Sequence, residues 1–494
     1  MRRGGILALA GAATLVATGA ASAQTPGVTP TPIPQGPMAA SIKPFTGSAA
    51  RLDPFFLPRV PRNPFMAPNG VSNIHDDGYQ TDTYRWRGPL GRGTSSKSAF
   101  YSRECASITF DSRGRLVTIC VGLDRPVLAI IDPNTLEPLA SFDLPPRQPG
   151  GGGNPFTDFS GGGYFFLDRH DRAVAPTTTR HVYVVGETPG PGLSLRRDYD
   201  LTAAVPSGDK VISALPDWSG RIWFASTDGV VGWVARRSGK VHSRPLHSPI
   251  GNSFAVDERG GVYVVTDRAL YRLRARHGKV RIVWRHRYPN DGTVKPGQTQ
   301  AGSGTTPTLI DGGRDVAITD NADPVHVVVF KRRAHAGGSR VVCRRALFHK
   351  GASSTDQSLI GAGRSMIAEN NFGYSIAATQ NGGVTARGLQ RVDLDRDGRG
   401  CRTVWRSRVR APSVVPKVSG RAGLVYTYTK PQRADGQDAW FLTALDFDNG
   451  RTVWSRLAGE GLGYNNNYAP VTVSPRGIAY LGALGGITRF RDTR

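Results

Sequence analysis

Three short stretches concentrate the side chains that bind hard cations or hydrogen-bonding ligands: "ITDNADP" (Ile318 to Pro324), "AENNFGY" (Ala368 to Tyr374) and "YNNNYAP" (Tyr464 to Pro470). Carboxylates and amide oxygens are hard donors. Calcium collects about six to eight of them, and magnesium or manganese fewer. The expectation is that Asp320, Asp323, Glu369 and Asn370 hold a divalent cation, calcium foremost. Asn321, Asn371, Asp356, Asn465, Asn466 and Asn467 are the further ligand-binding candidates. Asp and Asn also end strands and cap turns for local hydrogen-bonding reasons. Chemistry therefore depends on a fold that brings these stretches together.

A second group stands earlier, in "NGVSNIHDDGYQTDTYRW" (Asn69 to Trp86). His75, Asp76 and Asp77 are expected to reach over the mouth of the site and add a ligand or a base, since histidine titrates near neutrality. Other chemistry leaves no trace. The chain has no G-x-S-x-G elbow, no H-E-x-x-H and no Walker loop. No C-x-x-C points to zinc or redox work, and "GEGLGYN" lies between strands, where no dinucleotide turn would sit.

The elements that must position these residues are strands. A unit recurs in which an apolar run meets a polar, glycine-bearing turn and then a second apolar run. It reads "ITFDSRGRLVTI", "FFLDRHDRAVAP", "ALPDWSGRIWFAS", "FAVDERGGVYVVTD", "TLIDGGRDVAITD", "LIGAGRSMIAEN", "PKVSGRAGLVYTY" and "VTVSPRGIAYLGA". Third and fourth strands follow most copies, as in "VLAIIDPNTLEPLASFDLP". Four antiparallel strands repeated radially make an all-β propeller, with eight blades preferred over seven. The last copy supplies only three strands, so a strand from between Arg51 and Phe100 is expected to complete the ring. In such a ring the first strand of each blade lines the channel. The loops entering it (Asp158, Asn252, Asp356, Asn465 to Asn467) and those leaving the second strand (Asp228, Asp267, Asp320, Glu369) open on one face.

"LTALDFDNGRTVW" (Leu442 to Trp454) resembles the repeat of the pyrroloquinoline-quinone (PQQ) β-propeller superfamily, with weaker echoes in "HGKVRIVW" and "GRGCRTVW". That resemblance implies the fold over residues 103–494 and makes a PQQ-dependent dehydrogenase one reading of the function. The vicinal disulfide that covers the cofactor in many such enzymes has no counterpart, because no two cysteines are adjacent. "NSFAVDERGGVYVVTD" is also similar to lactonase and gluconolactonase propellers, which makes a metal-dependent hydrolase a second reading. The leading expectation is a propeller that binds a small polar ligand, a divalent cation or a protein partner at its channel face, with no catalysis evident.

Residues 1–23 have a basic start, an apolar run and small residues Ala21, Ser22 and Ala23, the layout of a cleavable secretory signal. A Pro-rich stretch over 24–50 reads as a disordered tether, and 51–102 as an extension carrying the closing strand. No later run is apolar enough to span a membrane. A secreted or periplasmic monomer is expected. Its four cysteines would form two bridges: Cys105 with Cys120 across a symmetric hairpin, leaving Cys343 with Cys401. The formal net charge is +25, carried mostly by arginine, and falls to +23 without Arg2 and Arg3. Such charge favours acidic cell-envelope polymers as partners. No basic run is interleaved with stacking aromatics, so nucleic acid is not an expected partner.

Overall fold

The computed structural model describes residues 42–147, 158 and 160–493. The expected signal lies outside that range, as does most of the tether. Eight sheets are arranged as an eight-bladed β-propeller; seven have four antiparallel strands, and the sheet of blade 7 has six, its four blade strands flanked by Phe45–Gly47 outside and by Thr83–Tyr84, which pairs parallel, inside. Each of the eight sequence repeats supplies the inner two strands of one blade, from Glu104–Phe110 and Leu116–Val121 in blade 1 to Val471–Val473 and Ala479–Ala483 in blade 8. The outermost strand of blade 8 is Ser95–Phe100, which pairs antiparallel with Gly486–Arg491. The two ends of the chain thus clasp the ring within one sheet, as the three-strand final copy requires.

The repeated Asp at the inner turn has a local physical role. In blades 1 to 4, Asp111, Asp168, Asp217 and Asp257 each accept backbone N–H bonds from two and four residues on. In the first three, the other carboxylate oxygen pairs with an arginine four residues on, at 2.6 to 3.0 Å. Gly114, Gly220 and Gly260 take the positive φ that closes the turn. Blade faces pack on one another through Leu, Val and aromatic side chains, with Trp223, Trp440 and Trp454 buried to within two per cent.

Both disulfides are present, Cys105–Cys120 and Cys343–Cys401. Cys105 and Cys120 are directly opposite, and the local irregularity falls after Cys105 rather than at the turn. Cys343 and Cys401 tie the outer strand of blade 5 to that of blade 6. The last part of the expected tether is packed instead. Phe45–Gly47 adds a strand to the outer edge of blade 7, and Ile42 is buried against Phe441 and Leu457. A free sheet edge offers unpaired N–H and C=O groups, and this strand covers one.

Candidate functional site

The segment from Asn63 to Trp86 crosses one end of the channel and bonds to the inner strand of every blade. Asn69, Ser72 and Asn63 reach Phe110, Leu167 and Pro216 of blades 1 to 3. The carbonyls of Gly78, Tyr79, Thr81 and Asp82 accept from Val256, Leu309, Gly361 and Val418 at 2.8 to 3.1 Å. Trp86 donates to the Val473 carbonyl of blade 8 at 3.1 Å. Phe110, Pro216, Val256 and Val473 are the last residues of their strands. The segment therefore plugs the end opposite the entering loops, and His75 does not reach over the mouth as expected.

A buried charge network secures the plug. Lys417, on the inner strand of blade 7, is wholly buried and places Nζ 3.0 Å from Asp76 and 2.5 Å from Asp82. Burial opposes its charge, but the two carboxylates outweigh it and hold its pKa above the usual lysine value. Tyr84 donates to Asp76 at 2.9 Å. Asp77 is spent on the plug's own turn, accepting from the Tyr79 amide and the Thr81 hydroxyl.

Above the plug is a cavity of about 50 Å³. Its floor is Ile74 and His75, and its walls include Glu104, Asp158, Asn252, Asp356, Ser358 and Asn467. Four of the entering-loop residues singled out in the sequence, Asp158, Asn252, Asp356 and Asn467, do converge here. Asp158 is neutralised by Lys210 at 2.8 Å. Among the described residues, Glu104 and Asp356 have no cationic partner. Glu104 accepts from Asn467 at 3.1 Å through one oxygen, while its other oxygen has no partner. Asp356 accepts from the Thr299 amide and hydroxyl through one oxygen, and the other is likewise unpartnered. Burial pushes the Glu104 carboxyl up to about 8 and that of Asp356 up to about 7.

The amide run forms the frame around this cavity. Tyr374 donates toward Asn465 and Asn467 at 3.3 and 3.0 Å, and Asn465 donates to Thr379. Asn466 holds the carbonyls of Ala469 and Gly482. Asn371 links Glu369 to the backbone of Asp356 at 3.2 and 2.7 Å. The Tyr468 hydroxyl is pushed up by burial and then by Asp356, Tyr374, Glu369 and Glu104.

The four residues expected to share a cation are engaged separately. Asp320 is buried and paired with Arg344 at 3.0 Å, besides accepting from the His326 amide. Asp323 is exposed and accepts from the Gly351 amide. Glu369 is buried with one unpartnered oxygen, and Asn370 bridges Ser354, Ala352 and Arg387. Asn321 holds Asn290 and Thr293. Among the described residues, no group of three or more His, Cys, Asp and Glu side chains is placed to hold a metal ion.

Sequence reading missed Glu104, Ser358 and Lys417. Ser358 obeys the same entering-loop rule that found Asp356, and Glu104 is the first residue of the inner strand of blade 1. Ser358 gained significance only through His75, whose Nε2 is 3.1 Å from its Oγ, while Nδ1 is 3.1 Å from both oxygens of Asp82.

No family model matches the chain. An uncharacterized protein of Archaeoglobus fulgidus is 30% identical over 321 residues, which is 58% of this chain and 62% of that protein. The match thus spans less than two thirds of that relative's length. Among solved structures, a europium-containing methanol dehydrogenase is similar with a TM-score of 0.54 at 9% identity, covering 84% of this chain and 90% of that one. A streptogramin B lyase is similar at a TM-score of 0.37 and 12% identity, covering 66% and 89%. At these identities the likeness to the dehydrogenase shows the fold alone, that of a β-propeller, which in this chain has eight blades.

Proposed function

We propose that the protein is an exported propeller of the PQQ-repeat type that binds a small cation in its channel cavity. The observation that carries this is the pair of buried carboxyls, Glu104 and Asp356, each with an unpartnered oxygen and no counter-charge among the described residues. A buried carboxylate without a partner is costly, and an entering cation would remove that cost. Amide and hydroxyl oxygens of Asn252, Asn467 and Ser358 complete a mixed oxygen lining. The europium named for the dehydrogenase of like fold belongs to the same class of hard, oxygen-seeking ions. Because empty-site burial raises both carboxyls, cation binding would release protons, and affinity should rise with pH between about 6 and 9. Thermal melts of purified protein at pH 8 with calcium, lanthanum or methylammonium test this. A rise in Tm lost in Glu104→Gln supports it; no rise with any of the three overturns it.

Two observations weigh against bound PQQ. The cavity of about 50 Å³ is far below the roughly 300 Å³ at which pockets for organic ligands begin. Its unpaired groups are acids, which would repel a quinone bearing carboxylates.

A second reading has its own observation. Ser358, His75 and Asp82 stand in the order of a nucleophile, a base and an orienting carboxylate, a constellation recognised by geometry and not by chain position. A fluorophosphonate probe tests it. Ser358 Oγ would bond to phosphorus, fluoride would leave, and the hydroxyl proton would pass to His75. Labelling at Ser358 that is lost in His75→Gln supports hydrolysis, and an unlabelled Ser358 leaves the hydroxyl as a plug contact.

A further inference from the structure

Between blades 2 and 3, on the face that carries the plug, lies a cleft of about 790 Å³ lined by seven arginines and one aspartate, a strongly positive surface. Arg172 and Arg221 come from the inner turns, Arg196 and Arg197 from the outer strand Leu193–Asp200, and Arg236 and Arg237 from the turn after Val230–Val234. Arg169 completes the set. The one acid of the lining, Asp168, is already shared by Arg172 at 2.6 Å and Arg236 at 3.8 Å. Like charges gathered this densely repel one another, so the fold must hold them in place.

Its devices are aromatic faces and carbonyls. Arg169 and Arg236 lie over Phe65 at 5.6 and 5.2 Å, Arg221 over Trp233 at 5.3 Å and Arg197 over Tyr199 at 5.7 Å. Arg197 also donates to the carbonyls of Arg236 and Arg237 at 2.9 and 3.3 Å. The aromatic and carbonyl contacts fix the guanidinium planes without neutralising them, whereas Arg221 is also paired with Asp217 at 3.0 Å. Fixed planar forks match the paired oxygens of phosphate and sulfate.

We propose that this cleft binds a segment of an anionic glycan or polyol polymer through its phosphate or sulfate groups. Single-stranded nucleic acid is disfavoured because the aromatic faces it would need for base stacking are taken: Phe65 carries two guanidiniums, and Trp233 carries Arg221 and stacks on His242 at 4.0 Å. The site is separate from the channel cavity and does not depend on what that cavity holds.

Binding of the full-length mature protein to a sulfated heparin-derived tetrasaccharide, to inorganic tripolyphosphate and to single-stranded DNA, each across a salt series, tests the proposal. The cleft variant is Arg169→Gln, Arg196→Gln and Arg237→Gln together, all exposed positions. The control removes equal charge from blade 4 with Arg281→Gln, Arg285→Gln and Arg287→Gln, also exposed. The expected result is a loss of at least tenfold in affinity for the saccharide or tripolyphosphate in the cleft variant only, with a shallower salt dependence. The arm that binds tells sulfate from phosphate. Equal loss in the control, no binding of either anion at low salt, or tighter binding of DNA would overturn it.

Discussion

At the scale of single residues, the unusual feature is how many charged groups are buried and how differently they are treated. Lys417 is matched by two carboxylates, and Asp320 by an arginine, whereas Glu104 and Asp356 have no charged partner among the described residues. Two predictions follow from this difference. Removing Lys417 leaves Asp76 and Asp82 buried without their cation, so Lys417→Met should cost about 3–5 kcal/mol in chemical denaturation, and adding Asp76→Asn should recover part of it. For Glu104 the folded pKa, about 8, is above its usual value of 4.5. The stability it contributes is fully present below pH 4.5 and is lost as the pH climbs through 8. Cation-free protein should therefore melt at progressively lower temperature from pH 5 to 9. Glu104→Gln should flatten that slope, and an unchanged slope would show that Glu104 is not the group titrating.

The elements are each made by local rules, and their cross-links are not. An Asp that caps its own turn and a glycine at positive φ make the inner hairpin wherever the repeat occurs. The two disulfides differ in what they close. Cys105–Cys120 spans 15 residues within one hairpin, and Cys343–Cys401 spans 58 and joins two blades. The chain-entropy model assigns about 3 kcal/mol to the first and about 4 kcal/mol to the second. Replacing each pair by serine and measuring denaturant unfolding should show the larger loss for Cys343 and Cys401.

For the whole molecule, closure is the decisive event. The ring is joined by Ser95–Phe100 and plugged by a segment that touches all eight blades, so Ser95–Phe100 acts as a clasp and Asn63–Trp86 as a keystone. A chain beginning at Arg103 would leave Gly486–Arg491 as a free edge and bury no plug. Unpaired edges recruit other strands, and light scattering should find such a truncation associating where a chain that keeps residues 42–494 does not. No helix among the described residues is long and apolar enough to cross a membrane.

Blade number, the closing strand and the Cys105–Cys120 pair could be read from the chain because each follows from short-range pattern: apolar alternation, a capped turn, a missing fourth strand and opposed hairpin positions; Cys343 with Cys401 followed only by elimination. The entering-loop rule also placed Asp158, Asn252, Asp356 and Asn467 on one cavity. The tertiary structure alone decided which end of the channel the His75 segment closes, that Arg344 neutralises Asp320, that Ser358 meets His75 across 283 residues, and that seven arginines share a cleft. Local hydrogen bonding and periodicity are written in neighbouring residues. The pairing of distant charges depends on the rotation from blade to blade, which only ring closure sets.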